Sequence, residues 1–259
     1  MSEPGRRPDE RVQAIVIPLI SVGVALLAVE LTKRGGFLPV TIPAPSQVAA
    51  SFAKNLDTVV YHLVPTLRAA AIGFLVAVAV ALALATVATL VRFAKSPIYN
   101  IAVVTYSIPL LALSPVLVVW LGNGPAARIT IAALAGFFPV IVGAIQGLDA
   151  IDRRQKELFD VLSASPLQRF WLLSVPSSLP FLFSGLKISA ASAVLGAIVA
   201  EWAGAERGLG VMMAYALFAF NVEQVWLTVV TATLCAIVAY GVVQAVERLV
   251  VTWQVESDL

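Results

Sequence analysis

The sequence predicts an all-α integral membrane protein of about six transmembrane helices, from its low charge, its hydropathy and the length of its apolar runs. Sixty percent of the 259 residues are apolar and 12% are charged, about half the charged share of a soluble domain. The mean hydropathy is +0.94. Uncharged runs long enough to supply the roughly 20 helical residues that a bilayer core requires recur along the chain. They lack the period-2 alternation of membrane barrel strands, so helices are expected.

The first span is Val12–Val29, preceded by Arg6, Arg7 and Arg11. It resembles a secretion signal, but it exceeds the usual signal core and no small-x-small cleavage site follows, so it reads as an uncleaved helix. Glu30, at its end, is expected to pair with Lys33 and Arg34 at helical spacing. Gly35–Pro65 reads as an ordered outer loop. Within it Ser46 caps a short surface helix starting near Gln47, and His62, the sole histidine, takes a hydrogen-bonded surface role.

The second span is Ala69–Val91 and the third Ser96–Ala127, which Pro109, Pro115 and Gly122 are expected to kink. Ile129–Leu148 is the fourth. The fifth, near Leu182–Ala203, grows from the uncharged core Ile188–Ala200, with Lys187 snorkelling to the interface. Pro176 and Pro180 predict that Phe170–Leu186 is an interfacial approach rather than a clean span. Gln224–Val246 is the sixth. The five tryptophans fall near span ends, as an interfacial belt does.

Lys and Arg set the orientation. With the N-terminus inside, the inner segments hold eleven of the 17 and the outer ones six, which places both termini in the cytoplasm. The chain is then an N-terminal tail of residues 1–11, one transmembrane domain over 12–248 and a C-terminal tail of 249–259. The small net charge of +2, with no basic stripe, excludes a nucleic-acid partner and leaves the lipid bilayer. Cys235 is the only cysteine, so no intrachain disulfide or cysteine zinc site exists.

The most polar inner stretch lies between the fourth and fifth spans, over residues 149–181. Asp149 and Asp152 are expected to be compensated by Arg153 and Arg154. Leu158, Phe159 and Leu162 form an apolar ridge at helical spacing. Ser165 as N-cap, Pro166 as first helical residue and Gln168 two further on make a capping box. Two short helices around Ser163-Ala164-Ser165 follow, a knob with apolar tips.

Glu157 is followed six residues later by Ser163, then by Leu173 and Val175-Pro176. This spacing resembles the cytoplasmic coupling motif of ABC-importer permeases: E-A-A, three residues, G, nine residues, I-x-L-P. Leu158 and Phe159 stand for the alanines and Ser163 for the glycine, where a positive φ would cost Ser more than Gly. Pro43-Ala44-Pro45-Ser46, His62-Leu63, Thr66-Leu67-Arg68, Gly73-Phe74, Phe183–Lys187, Ala200-Glu201-Trp202 and Gly208-Leu209-Gly210 are similar to the nitrate, sulfonate and taurine branch. The resemblance spans about residues 40–250. It implies a homodimeric inner-membrane permease that works by alternating access in a bacterium. A cytoplasmic ATPase dimer would grip the coupling residues Glu157, Leu158, Phe159, Leu162, Ser163, Leu173 and Pro176. An extracytoplasmic binding protein would deliver a small organic solute or anion.

The chain itself lacks a phosphate-binding G-x-x-x-x-G-K-[ST] loop, so ATP and Mg²⁺ are expected on the partner and no cofactor here. Pro109, Pro115 and Glu201 are candidates for the translocation path, since broken helices and intramembrane carboxylates favour water-lined cavities. Glu201 has other readings: a pair with Arg207 or Arg128, or a cap on the following loop. A membrane enzyme is disfavoured by a single His and a single Cys with no H-E-x-x-H or G-x-S-x-G pattern. An ion-driven secondary transporter or channel would show repeated broken helices and ionisable relays, which the sequence lacks.

Overall fold

Helices α6 (Pro125–Asp149) and α9 (Val175–Trp202) form the centre, because small residues let their backbones approach closely. A Cβ added to Gly143 of α6 would fall 2.6 Å from the Phe181 carbonyl, and one on Gly196 of α9 would fall 2.7 Å from the Ala135 Cβ. Lipid gives no hydrophobic drive between helices, so close van der Waals fit of this kind holds them together. The computed structural model describes residues 8–253. Arg6, Arg7 and the tail from Gln254 onward lie outside the described residues, as does the Arg11 side chain. Among the described residues every regular element is a helix.

Against this pair lies α3 (Leu56–Leu90), where Gly73 meets Ala132 and Ala81 and Ala85 meet Val140 and Ile141. Helix α11 (Val222–Val250) flanks α9. Among the described residues five helices are long and apolar enough to span a bilayer, and a sixth span counts if one bent pair is a single crossing. That pair covers the predicted third span. Instead of one kinked helix, α4 (Lys95–Ser107) and α5 (Leu110–Leu121) meet at 95° across Ile108-Pro109. Pro109 cannot donate to a preceding carbonyl and holds Ile108 extended, so the chain turns sharply there. Pro115 lies inside α5, and Gly122 ends it with φ +81°.

Several expectations change. The second helix begins at Leu56, so His62 is a helical residue, and Gly35–Pro65 is not one loop. Apolar runs locate only the part of a helix in lipid. At 1.5 Å per residue this one is roughly 50 Å long, against about 30 Å of hydrocarbon. Helix α2 (Pro45–Lys54) is capped by Ala44, whose N–H donates to Gln47 Oε1 at 2.8 Å. Ser46 serves α1 (Pro8–Arg34) instead: its N–H and hydroxyl both reach Glu30, at 3.1 and 2.7 Å. Of the two expected partners Glu30 keeps Arg34, at 2.7 Å, while Lys33 donates to the Pro39 carbonyl. Over Val16–Arg34 none of the α1 span is buried.

Around the fifth span the prolines do not stop the helix. α9 is continuous from Val175, with Pro176 in its first turn, where no N–H is required, and Pro180 inside. A wide π turn over Phe170–Ser174 precedes it and holds the Leu172 carbonyl, the one that the Pro176 ring would otherwise crowd. Lys187 does not snorkel: its Nζ lies 2.8 Å from Glu247 Oε2 of α11, both largely shielded, and 5.9 Å from the Tyr240 ring centroid. A further short apolar helix, α10 (Leu209–Phe218), fills the connection to α11.

Candidate functional site

Two polar constructions occupy opposite ends of the bundle. At one end, after α6, Asp149 pairs with Lys95 of α4. Asp152 then caps α7 (Arg153–Val161), its carboxylate accepting from the Arg154 N–H at 3.2 Å. The helix ends in a Schellman turn: the Ala164 N–H donates to the Phe159 carbonyl and the Ser163 N–H to that of Asp160, both at 3.0 Å. Ser163 stands at the left-handed position with φ +51°, where glycine is usual.

The chain then enters α8 (Pro166–Arg169) through the expected capping box. Ser165 N–H donates to Gln168 Oε1 at 2.8 Å, and Gln168 N–H donates to Ser165 Oγ at 3.3 Å. Arg169 closes the elbow, since its Nε donates to the Ala164 carbonyl at 3.0 Å and its guanidinium pairs with Asp160. From the sequence Arg169 counts only as a charge that sets orientation. Its spacing from Asp160, across two helices and a turn, follows no helical rule, so its bracing role is hidden there.

The candidate coupling residues divide here. Glu157, Leu158, Leu162 and Ser163 are exposed on the knob and Phe159 is half-buried. Leu173 is buried and Pro176 half-buried, so neither belongs to the exposed knob. Val161 and Leu167 are absent from the expected set, yet at 82% and 67% they are the knob's most exposed large apolar side chains.

At the other end Glu201 is 1% exposed. Its Oε1 accepts from Thr66 Oγ1 at 2.7 Å and its Oε2 from the Gly210 N–H at 2.8 Å. Thr66 Oγ1 in turn accepts from the Leu209 N–H at 2.9 Å, and His62 Nδ1 from the Gly208 N–H at 3.2 Å. Three successive amides at the start of α10 thus find side chains from α3 and α9. A helix start leaves such amides without intrahelical partners, and a carboxylate there also meets the positive end of the helix dipole. Of the readings open for Glu201, the geometry is that of a cap. Gly208 has φ +147°, and a Cβ on it would overlap the Glu201 carboxylate. His62, Thr66, Glu201, Gly208 and Gly210, scattered over the segments that carried the resemblance, are one hydrogen-bonded cluster. Leu117 of α5 packs with Ile131 and Ala200, which places Pro115 near the same end. Among the described residues, no three His, Cys, Asp or Glu come together as a metal site would need.

Residues 77–252 match the model of the binding-protein-dependent transport system inner membrane component. The chain belongs to that family. Its relatives include a formylaminopyrimidine transport permease protein of Halalkalibacterium halodurans, 29% identical over 87% of this chain and 90% of that one. A probable ABC transporter permease protein of Haemophilus influenzae is 30% identical over 84% and 91%. A chain of the MetNI methionine ABC transporter, in inward-facing conformations, shares the fold with a TM-score of 0.57 at 20% identity, covering 75% of this chain and 94% of that one. This inner-membrane permease is therefore a non-catalytic transport subunit of the ABC class, and ATP is hydrolysed on a separate ATPase.

Proposed function

We propose that the chain forms the solute path of an ATP-driven importer and that the α7–α8 elbow is the handle by which a cytoplasmic ATPase dimer moves it. The observation that carries this reading is the elbow's construction. Schellman turn, capping box and Arg169 brace fix its shape from within, while Leu158, Val161, Leu162 and Leu167 stay 56–82% exposed. A rigid knob with an apolar tip suits a groove on another protein. Each such side chain contributes about 1.5–3 kcal/mol when it leaves water. Glu157 adds charge to the contact.

In this reading the elbow faces the cytoplasm with both termini, ATP and Mg²⁺ sit on the partner, and a second copy of the permease completes the path. An extracytoplasmic binding protein loads it at the α10 end. Small organic solutes are the cargo class that the names of the relatives support: a formylaminopyrimidine, riboflavin, aliphatic sulfonates and taurine.

The test is uptake by vesicles holding permease, ATPase and loaded binding protein. With Leu162→Glu, ATP hydrolysis should continue while uptake falls more than about tenfold, because a charge enters the apolar contact. Undiminished uptake in that variant would sink the proposal, as would uptake by the permease alone on an ion gradient.

A further inference from the structure

A cavity of about 190 Å³ lies where the bent third span meets the central pair. Thr105 and Tyr106 of α4, Leu110 at the start of α5, Leu134 of α6, and Ser192 and Leu195 of α9 line it. Ser192 is ten residues from the end of α9 at Trp202, and Leu134 is nine from the start of α6 at Pro125. At 1.5 Å per residue both lie about 15 Å below the α10 end, close to the middle of a bilayer core of roughly 30 Å, and the lining continues up α9 through Gly196 to Val199, about 5 Å from that end. A cavity at that depth, beside a break in a spanning helix, is where a solute crossing the membrane would be held.

Its chemistry is selective. Among the described residues no Asp, Glu, Lys, Arg or His lines it. Three hydroxyls do, from Thr105, Tyr106 and Ser192. The Thr105 hydroxyl donates to the Ile101 carbonyl at 2.8 Å and faces the cavity as an acceptor. The remaining wall is aliphatic, and Tyr106 is held as part of an aromatic face by stacking on Phe138, with centroids 4.4 Å apart and planes 19° from parallel. An anion here would find no cation in the wall to meet it. A flat, uncharged ring with polar edges would satisfy the hydroxyls and cover the apolar wall.

We infer that this hydroxyl-lined cavity is the solute-contact site of the path and that it takes a small neutral heteroaromatic ring rather than a sulfonate or other anion. The inference rests on the import reading above. It also moves the contact away from Pro115 and Glu201, leaving Pro109 as the residue that shapes the site from behind.

The experiment uses the full complex with Ser192→Cys in a Cys235→Ala background, labelled by an uncharged thiol reagent. Cytosine as the ring probe should slow labelling, and taurine at the same concentration should not. Protection by taurine, protection by neither probe, or failure of the introduced thiol to label at all would each overturn the site or its selectivity. In vesicles, Thr105→Val should lower ATP-driven cytosine uptake roughly three- to tenfold, the worth of one hydrogen bond. Uptake that needs no ATP would fault the import reading while leaving the labelling result to stand or fall by itself.

Discussion

The two ends of this permease solve the same problem, where to put the polar groups of helix termini, in opposite ways. At the α10 end the amides of Gly208, Leu209 and Gly210 are received by side chains from α3 and α9, and the acceptor Glu201 is sealed from solvent. At the α7–α8 elbow, by contrast, the amides and carbonyls are satisfied within 17 consecutive residues, Asp152 to Gln168, by motifs of adjacent sequence. Apolar side chains are left outside. The first arrangement makes three helices interdependent. The second makes a unit that can be pushed as one piece and can meet another protein. A device that transmits force needs both, a locally rigid handle and a bundle whose helices do not slip past each other.

The contrast predicts different kinds of damage. The largest effect is expected from Gly208→Val. Its φ of +147° is open only to glycine, and the new side chain would drive the Glu201 carboxylate from the three-helix cap. Loss of a buried network together with backbone strain should cost about 4 kcal/mol or more. It should appear as a lowered unfolding temperature in detergent for the whole chain. Gly241→Ala, where a Cβ meets nothing within 4 Å, is the control that should change little. If Gly208→Val unfolds no earlier than this control, the α10 cap does not tie the helices together.

A middle-sized effect is expected at the elbow. Arg169→Gln removes the pair with Asp160 and the contact to the Ala164 carbonyl. Both partners of the pair are near half exposed, so global stability should change by about 1 kcal/mol or less. Amide exchange over Arg153–Val161 should nevertheless quicken, and coupling of hydrolysis to uptake should weaken with it. A drop in global unfolding temperature as large as that of Gly208→Val would erase the distinction between the two ends.

The same contrast explains what the sequence disclosed. The elbow was legible almost to the residue, because Ser165, Pro166 and Gln168 state a capping box within four positions. Leu158 and Leu162 lie one turn apart on the exposed tip for the same local reason. The spans were legible as apolar runs, but their ends were not. Leu56–Arg68 continues α3 past the uncharged run, where Asp57, His62 and Arg68 interrupt the signal. The α10 cap was visible only as fragments of family resemblance, since nothing in spacing says that Thr66, Glu201 and Gly210 meet across more than 130 residues. The cavity by Thr105, Tyr106 and Ser192 was invisible for a related reason. Hydroxyls in apolar helices usually bond back to the preceding turn, as Thr105 does to the Ile101 carbonyl, and no spacing says that Thr105 and Tyr106 of α4 face Ser192 of α9.

The smallest effect is the most discriminating for the elbow. Ser163 holds φ +51° at the position where the related motif has glycine. Glycine occupies the left-handed region without the Cβ penalty, but it also enlarges the unfolded ensemble, which offsets part of the gain. Ser163→Gly should therefore stabilise the α7 turn by less than about 1 kcal/mol. Amide exchange at Ser163 and Ala164 should slow, while ATP-driven uptake stays within about twofold of the parent, as expected where no contact is lost. A marked fall in uptake would mean that the serine side chain itself meets the partner. Ser163 would then belong to the contact surface beside Leu162, and the Schellman turn would be more than scaffolding.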